Sequence, residues 1–209
     1  DLTTSVGPTA LGSFTVNVDP VEDAPVLTGL IMSQDLLFAN VSFGPVQLDV
    51  DVTVTDVDTT DFNGGNLTVT NRAGGLSGDD LSIEDAGLIT VAGSTISYNG
   101  SAVATVAGGS DGADLVVTFT GTPTSLAAVE AIAEAVHYAT SNPDPALTRV
   151  FSYTIEDGEG GTSDIAQATV NITGAGANQA PELTDIETAV VMNRSDLLDG
   201  PQAVDADVT

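Results

Sequence analysis

Residues 46–66 read VQLDVDVTVTDVDTTDFNGGN. Val46, Leu48, Val50, Val52 and Val54 alternate with Gln47, Asp49, Asp51, Thr53 and Thr55, so a β-strand sets five apolar side chains on one face. That strand runs directly into Asp56-Val57-Asp58-Thr59-Thr60-Asp61-Phe62-Asn63-Gly64, a run of carboxylates at a strand end. An EF-hand loop needs glycine at its sixth position and a carboxylate at its twelfth. Counted from Asp56, those positions hold Asp61 and Leu67, so the run is not an EF-hand.

Outward from this stretch, the alternating pattern continues in Phe14-Val16-Val18, Leu67-Val69, Ile89-Val91, Ile96-Tyr98, Val103–Val106, Leu115–Thr120, Val150–Ile155 and Ile165–Ile172. Glycine-rich turns separate these segments. In Tyr98-Asn99-Gly100-Ser101, Asn and Gly suit the positive φ of a type I′ hairpin turn. Gly108-Gly109-Ser110-Asp111-Gly112-Ala113-Asp114 approximates a glycine-rich calcium repeat but occurs once, and reads as a hairpin turn. Many short strands at this spacing predict an all-β antiparallel sandwich. One segment departs from the pattern: residues 124–139, TSLAAVEAIAEAVHYA, place Leu126, Val129, Ile132 or Ala133, and Val136 at helical spacing. Thr124 or Ser125 can cap it, Asn142-Pro143 stops it, and His137 and Tyr138 fall in its last turn. The single histidine reads as a cation at a helix C-terminus or a surface residue rather than a catalytic base, because no nucleophile accompanies it in a recognisable motif.

The end of the chain repeats its beginning. Ala24-Pro25, Leu27-Thr28, Gly44-Pro45, Asp49, Asp51 and Val52-Thr53 recur as Ala180-Pro181, Leu183-Thr184, Gly200-Pro201, Asp205, Asp207 and Val208-Thr209. The expected organisation is therefore a tandem array: residues 1–23 as the last strand and linker of one repeat, 24–179 as a whole repeat, and 180–209 as the first strands of a third. There are 30 acidic residues against three arginines and no lysine, a net charge of −27, which argues against nucleic acid or an anionic membrane as partner. With 42% hydrophobic residues in strand patterns, the chain is not read as disordered. Such a charge fits either a soluble protein of salty water or one whose carboxylates are partly neutralised by multivalent cations. Without cysteine or lysine, neither disulfides nor Lys–Asn isopeptide bonds can hold the fold. No apolar run of about 18 residues is present to span a membrane.

Residues 50–70, VDVTVTDVDTTDFNGGNLTVT, resemble the cadherin run in which a D-x-D and a following G-x-N close the second strand, here Asp56, Asp58, Gly64 and Asn66. LSIEDAGLIT at 81–90 is similar to that family's next strand pair, YTIEDGEGGTSDIAQATVNIT at 153–173 to its last two strands, and Glu22-Asp23-Ala24-Pro25 to its acidic linker. Together these segments cover about half the repeat in the family's order. The resemblance implies a cadherin/Ig-like sandwich with calcium at the inter-repeat joint. Three departures stand against it. The family's mid-repeat Asp-Arg-Glu element has no counterpart, residues 91–147 exceed an ordinary cadherin repeat, and the second linker, Gly174–Gln179, has lost its acids. Longer repeats of this kind resemble those of large secreted bacterial proteins.

If the first strand runs away from the linker, the second returns to end at Asp56 and Asp58, and the penultimate strand ends at Glu156 and Asp157 beside them. Carboxylates from three segments would repel there unless a hard cation bound, and calcium, with about six to eight oxygen ligands, suits the cluster. The alternative is acidic turns that are merely solvated. The metal candidates are Glu22, Asp23, Asp56, Asp58, Asn66 and Asp157, with Asp61, Glu156 and Glu159 as additional ones. The expected function is an extracellular, cell-surface spacer, stalk or filament element, rigid with calcium and without enzymatic activity. The alternative is an adhesive or carbohydrate-binding module, weakened by the absence of tryptophan and by only three tyrosines and six phenylalanines. The unfinished sheets at 1–23 and 180–209 would pair with neighbouring repeats or copies of the same chain in a filament or lattice. Asn-x-Ser/Thr sequons at Asn40, Asn66, Asn99, Asn171 and Asn193 would suit a glycosylated surface protein.

Overall fold

In the computed structural model, residues 21–73, 75–121, 123–142 and 148–174 are described. The segments on which the tandem-repeat expectation rests, 1–20 and 175–209, lie outside these residues, as do the expected strand at Phe14–Val18 and the sequon at Asn193. In chain order the elements are β1 (Val26–Thr28), β2 (Ser33–Leu37), α1 (Phe38–Phe43), β3 (Val46–Gln47), β4 (Thr53–Thr55), β5 (Asn66–Ala73), β6 (Asp79–Ile83) and β7 (Ile89–Ala92). They continue with β8 (Thr95–Tyr98), β9 (Ser101–Gly108), β10 (Leu115–Phe119), α2 (Leu126–Glu134), β11 (Val136–Thr140), β12 (Thr148–Glu156) and β13 (Ala166–Thr173). The protein is all-β in character, with two short α-helices among the described residues.

Eight strands form one sheet in the order β2-β13-β12-β5-β10-β9-β8-β7. All neighbours in it are antiparallel except β2 with β13, which run parallel. Period-2 alternation explains its inner face. Ile155, Leu67 and Val117 lie opposite one another across β12, β5 and β10, and Tyr153, Val69 and Leu115 form the next row; all six are buried. A three-stranded sheet, β3-β11-β6, supplies a second layer in which Val136, Tyr138 and Thr140 lie opposite Ile83, Leu81 and Asp79. The Tyr138 ring lies 5.3 Å from that of Phe151, so the two sheets share one core. A two-stranded pair, β1-β4, completes an arrangement compatible with a β-sandwich. Each fully buried Val, Leu, Ile or Phe in such a core contributes about 1.5–3 kcal/mol.

A charged group crosses the same core. Arg149, on β12 of the large sheet, is completely buried and grips Asp79 on β6 through Nε (2.6 Å) and Nη2 (3.1 Å). The Tyr138 hydroxyl donates to Asp79 at 2.8 Å. Burial alone would raise the Asp79 carboxyl, but Arg149, the Leu76 amide and the Tyr138 and Thr140 hydroxyls outweigh it and hold the group below the ordinary carboxylate range.

Two elements differ from the sequence reading. The expected helix over 124–139 is real only over Leu126–Glu134; residues 136–140 are the central strand of the three-stranded sheet. Val136 satisfies both periods, since it follows Leu126, Val129 and Ile132 at helical spacing and begins the alternation Val136, Tyr138, Thr140. Pairing on both edges, to β3 and β6, decides for the strand, so His137 and Tyr138 are strand residues and not part of a last helical turn. Ser125 is the N-cap and accepts from the Ala128 amide. The expected continuous strand over 46–55 is broken between β3 and β4. Asp49 turns inward, only 2% exposed, and accepts hydrogen bonds from the amides of Ile31, Val50 and Asp51. This local bonding competes with the ladder and turns Val50 outward, 65% exposed, while Leu48, Val52 and Val54 remain buried. The Asn99-Gly100 turn has φ of 49° and 81°, as a type I′ hairpin requires. The Gly108–Asp114 run connects β9 to β10 as a hairpin. No helix among the described residues is long and apolar enough to cross a membrane.

Candidate functional site

Strand register brings one end of the fold together. Val26 lies opposite Thr55, which joins the linker end of β1 to the Asp56 end of β4. Glu156 lies opposite Asn66, which joins the last residue of β12 to the first of β5. Two contacts then tie the linker to this end. The Asp23 amide donates to Asp58 Oδ2 at 3.2 Å, and the Glu22 carboxyl reaches that of Asp157.

Asp157 is the centre of the arrangement. It is completely buried in the turn after β12, and its Oδ1 accepts from the amides of Glu159 (2.7 Å), Gly160 (2.9 Å) and Gly161 (3.0 Å). Its other oxygen, Oδ2, is buried without an amide or hydroxyl donor. Glycine is required around it: a Cβ on Gly161 would lie 2.2 Å from Asp157 Oδ2 and 2.9 Å from the Asp23 carbonyl. A Cβ on Gly65 would meet the Glu156 carbonyl at 2.0 Å. The Gly-rich turn and the Asn63–Gly65 loop thus form a close-fitting cradle that turns a carboxylate inward.

Asp56 repeats this pattern. Its Oδ1 accepts from the amides of Asp58 (3.1 Å) and Thr59 (2.8 Å), while its Oδ2 is buried without a partner. Glu22 experiences the resulting field. Partial removal from water, the hydrogen bond with Asp157, and the negative charges of Asp157, Asp58 and Glu159 push its carboxyl up to about 7. Among the described residues no three acidic or histidine side chains close into a ready-made metal cage.

The structure therefore brings Glu22, Asp23, Asp58, Asp157 and Glu159 together, and places Asp56 at the same strand end. Asn66 and Glu156 bond to each other, Nδ2 to Oε2, at 2.6 Å across β5 and β12. Asp61 serves another purpose: its Oδ1 accepts from the amides of Thr124 (2.8 Å) and Asn63 (3.2 Å), docking the acidic loop onto the segment before α2. Phe62 anchors that loop, packing edge-on against Phe119 with ring centroids 6.3 Å apart. His137 lies beside a different set of acids. Asp49, Asp51, Glu130 and Glu134 interact electrostatically where β3, β4 and α2 meet, and the sequence reading did not single them out as a group. Glu130 and Glu134, one helical turn apart with no lysine or arginine near them in sequence, were the available signal. No protein-family model, curated protein or solved structure matches this chain.

Proposed function

We propose that this protein is an extracellular structural repeat whose inter-repeat joint is stiffened by calcium, a cadherin-like sandwich working as a spacer, stalk or filament element in a tandem array. The observation that carries the reading is the convergence of Asp157, Asp58 and Glu159 on Glu22, beside an Asp157 oxygen that is buried without an amide or hydroxyl donor. A buried carboxylate oxygen is costly unless a proton or a cation meets it, and here the choice lies between the Glu22 proton and a bound ion. An all-oxygen, carboxylate-rich donor set with backbone carbonyls nearby suits calcium better than zinc. Asp157, Asp56, Asp58 and Glu22 would hold the ion, with Asp23 and Glu159 at its margin.

Mechanically, the ion would replace repulsion by attraction between the linker and two strand ends. Glu22 and Asp23 belong to the segment that enters the fold, so neutralising the cluster removes bending freedom at that segment. Carboxylates that must be drawn together bind less tightly than a preformed cage. An affinity in the range of extracellular modules, about 0.1–1 mM, follows. The start of the fold is also divided between sheets, β1 pairing with β4 and β2 running parallel with β13.

Calorimetric unfolding with millimolar calcium and then with excess chelator tests the proposal. A melting temperature raised by many degrees by calcium, not by magnesium, and insensitive to calcium in Asp56→Ala/Asp58→Ala is the expected result. Coincident melts would leave a plain acidic β-protein and overturn the reading.

A further inference from the structure

A groove of about 590 Å3 lies between α2, the turn at residues 85–88 and the strands β3, β8 and β11, away from the linker cluster. Its size is in the range of small-ligand sites. Apolar walls come from Leu88, Ala127 and Ala131, and carboxylates from Asp85, Glu130 and Glu134. No lysine or arginine lines it.

The polar side chains are turned so that acceptors dominate. Gln47 points its amide nitrogen at the Glu134 carbonyl (2.8 Å), which leaves Oε1 at its other end. The Nδ1 of His137 lies 2.9 Å from the Ala135 carbonyl, so Nδ1 donates to the backbone and is not available to a ligand. Asp85 and Glu130 each accept a single backbone amide, from Val91 (2.8 Å) and Val54 (2.9 Å), on one oxygen only. The carbonyl end of α2 lies at the same place, so the negative pole of the helix is near the groove although its Glu134 carbonyl accepts from Gln47. Partial burial, and then the charges of Glu130, Asp49 and Asp51, raise the Glu134 carboxyl above its ordinary range, which a bound cation would relieve.

We propose that this groove binds an organic cation, an alkyl guanidinium or alkyl ammonium, with its head among Asp85, Glu130 and Glu134 and its stem along Leu88, Ala127 and Ala131. Tyr98 lines the same groove. A bare metal ion would fill little of the volume and make no use of the apolar walls, whereas a methylene stem uses both. The source is either a free amine or an arginine or lysine side chain of a partner.

The test is a titration of the 209-residue chain, calcium-saturated and in about 150 mM NaCl to screen diffuse attraction, with agmatine and separately with the blocked tripeptide Gly-Arg-Gly. Backbone amide resonances report the site. The expected result is saturable shifts centred on Leu88, Ala127, Ala131 and His137, with binding weakened about tenfold or more in Glu130→Gln/Glu134→Gln. Gln at position 130 keeps an acceptor for the Val54 amide. As a second variant, Ala127→Arg at an exposed position places a guanidinium beside the groove and should block either probe without removing an acid. Asp164→Asn, an exposed acid outside the groove, should leave binding unchanged. Tighter binding of the tripeptide identifies a partner's side chain, and equal or tighter binding of agmatine a free amine; both uphold the site. Shifts spread over every acidic turn, or equal binding by all variants, overturn it. So do groove shifts produced by zinc chloride but by neither organic cation. None of these readouts depends on calcium at the linker cluster, so the two proposals fail separately.

Discussion

Asp157 and Asp79 are both buried carboxylates, and their partners differ in kind. Asp79 has a guanidinium, a phenol and a backbone amide, so its charge is compensated within the fold. Asp157 has three amides on one oxygen and none on the other. Asp157→Ala strips the acceptor from three turn amides and should cost about 2–3 kcal/mol in urea unfolding. Asp157→Asn keeps an oxygen for those amides, and should retain most of the stability while losing the response to calcium. Arg149→Met leaves Asp79 buried without its counter-ion and should cost about 3–5 kcal/mol. Asp79 titrates below its unfolded value of 3.8, so its contribution is complete above that pH and is lost as pH falls through the folded value. Acid unfolding of Arg149→Met should accordingly show less pH dependence below about pH 4 than that of the parent chain.

At the scale of elements, the segment after Ser125 shows how two periods share one stretch of chain. The helix stops at Glu134 because β3 and β6 offer β11 hydrogen bonds on both edges, and a further helical turn would leave those edges open. The consequence is that Glu134 and His137, which a continuous helix would place one turn apart, stand instead at a helix end and on a strand that face one groove. Ser125→Ala removes the cap of α2 and should lower stability by about 1 kcal/mol, read as a shift in melting temperature without loss of the fold.

Across the whole molecule, two acidic centres stand out among the described residues, the linker end and the α2 groove. Both raise carboxyls: Glu22 to about 7, Glu134 through burial and its acidic neighbours, and Asp51 through its hydrogen bond to Asp49. The folded chain therefore holds protons that the unfolded chain releases. For Glu22 the window runs from the unfolded value of 4.5 to about 7. Without calcium, stability should fall as pH rises through that window, and Asp51 and Glu134 act in the same direction. Calcium bound at the linker end as proposed would displace the Glu22 proton, so saturating calcium should flatten the decline. Urea midpoints across pH 4.5–7.5, with calcium and with chelator, check this; parallel curves would contradict it.

The β-class was legible in the sequence because strand periodicity is local: Leu67 with Val69, and the alternation through 150–155, need no knowledge of their partners to read as half-buried strands. The Asn99-Gly100 turn was legible for the same reason, since positive φ is a property of the residues themselves. The acids expected at one end, Glu22, Asp23, Asp58 and Asp157, were named from spacing and resemblance. Their convergence, and the cradle that buries Asp157, depend on register between strands far apart in the chain. Tertiary structure alone decided four further matters: that Val136–Thr140 is a strand, that Asp49 breaks the run from Val46 to Thr55, that Arg149 is buried against Asp79, and that Glu134 meets His137 across a groove. In each case the local pattern allowed two conformations or two environments. Pairing, burial and hydrogen-bond satisfaction among distant segments chose between them, and a linear sequence does not display those terms.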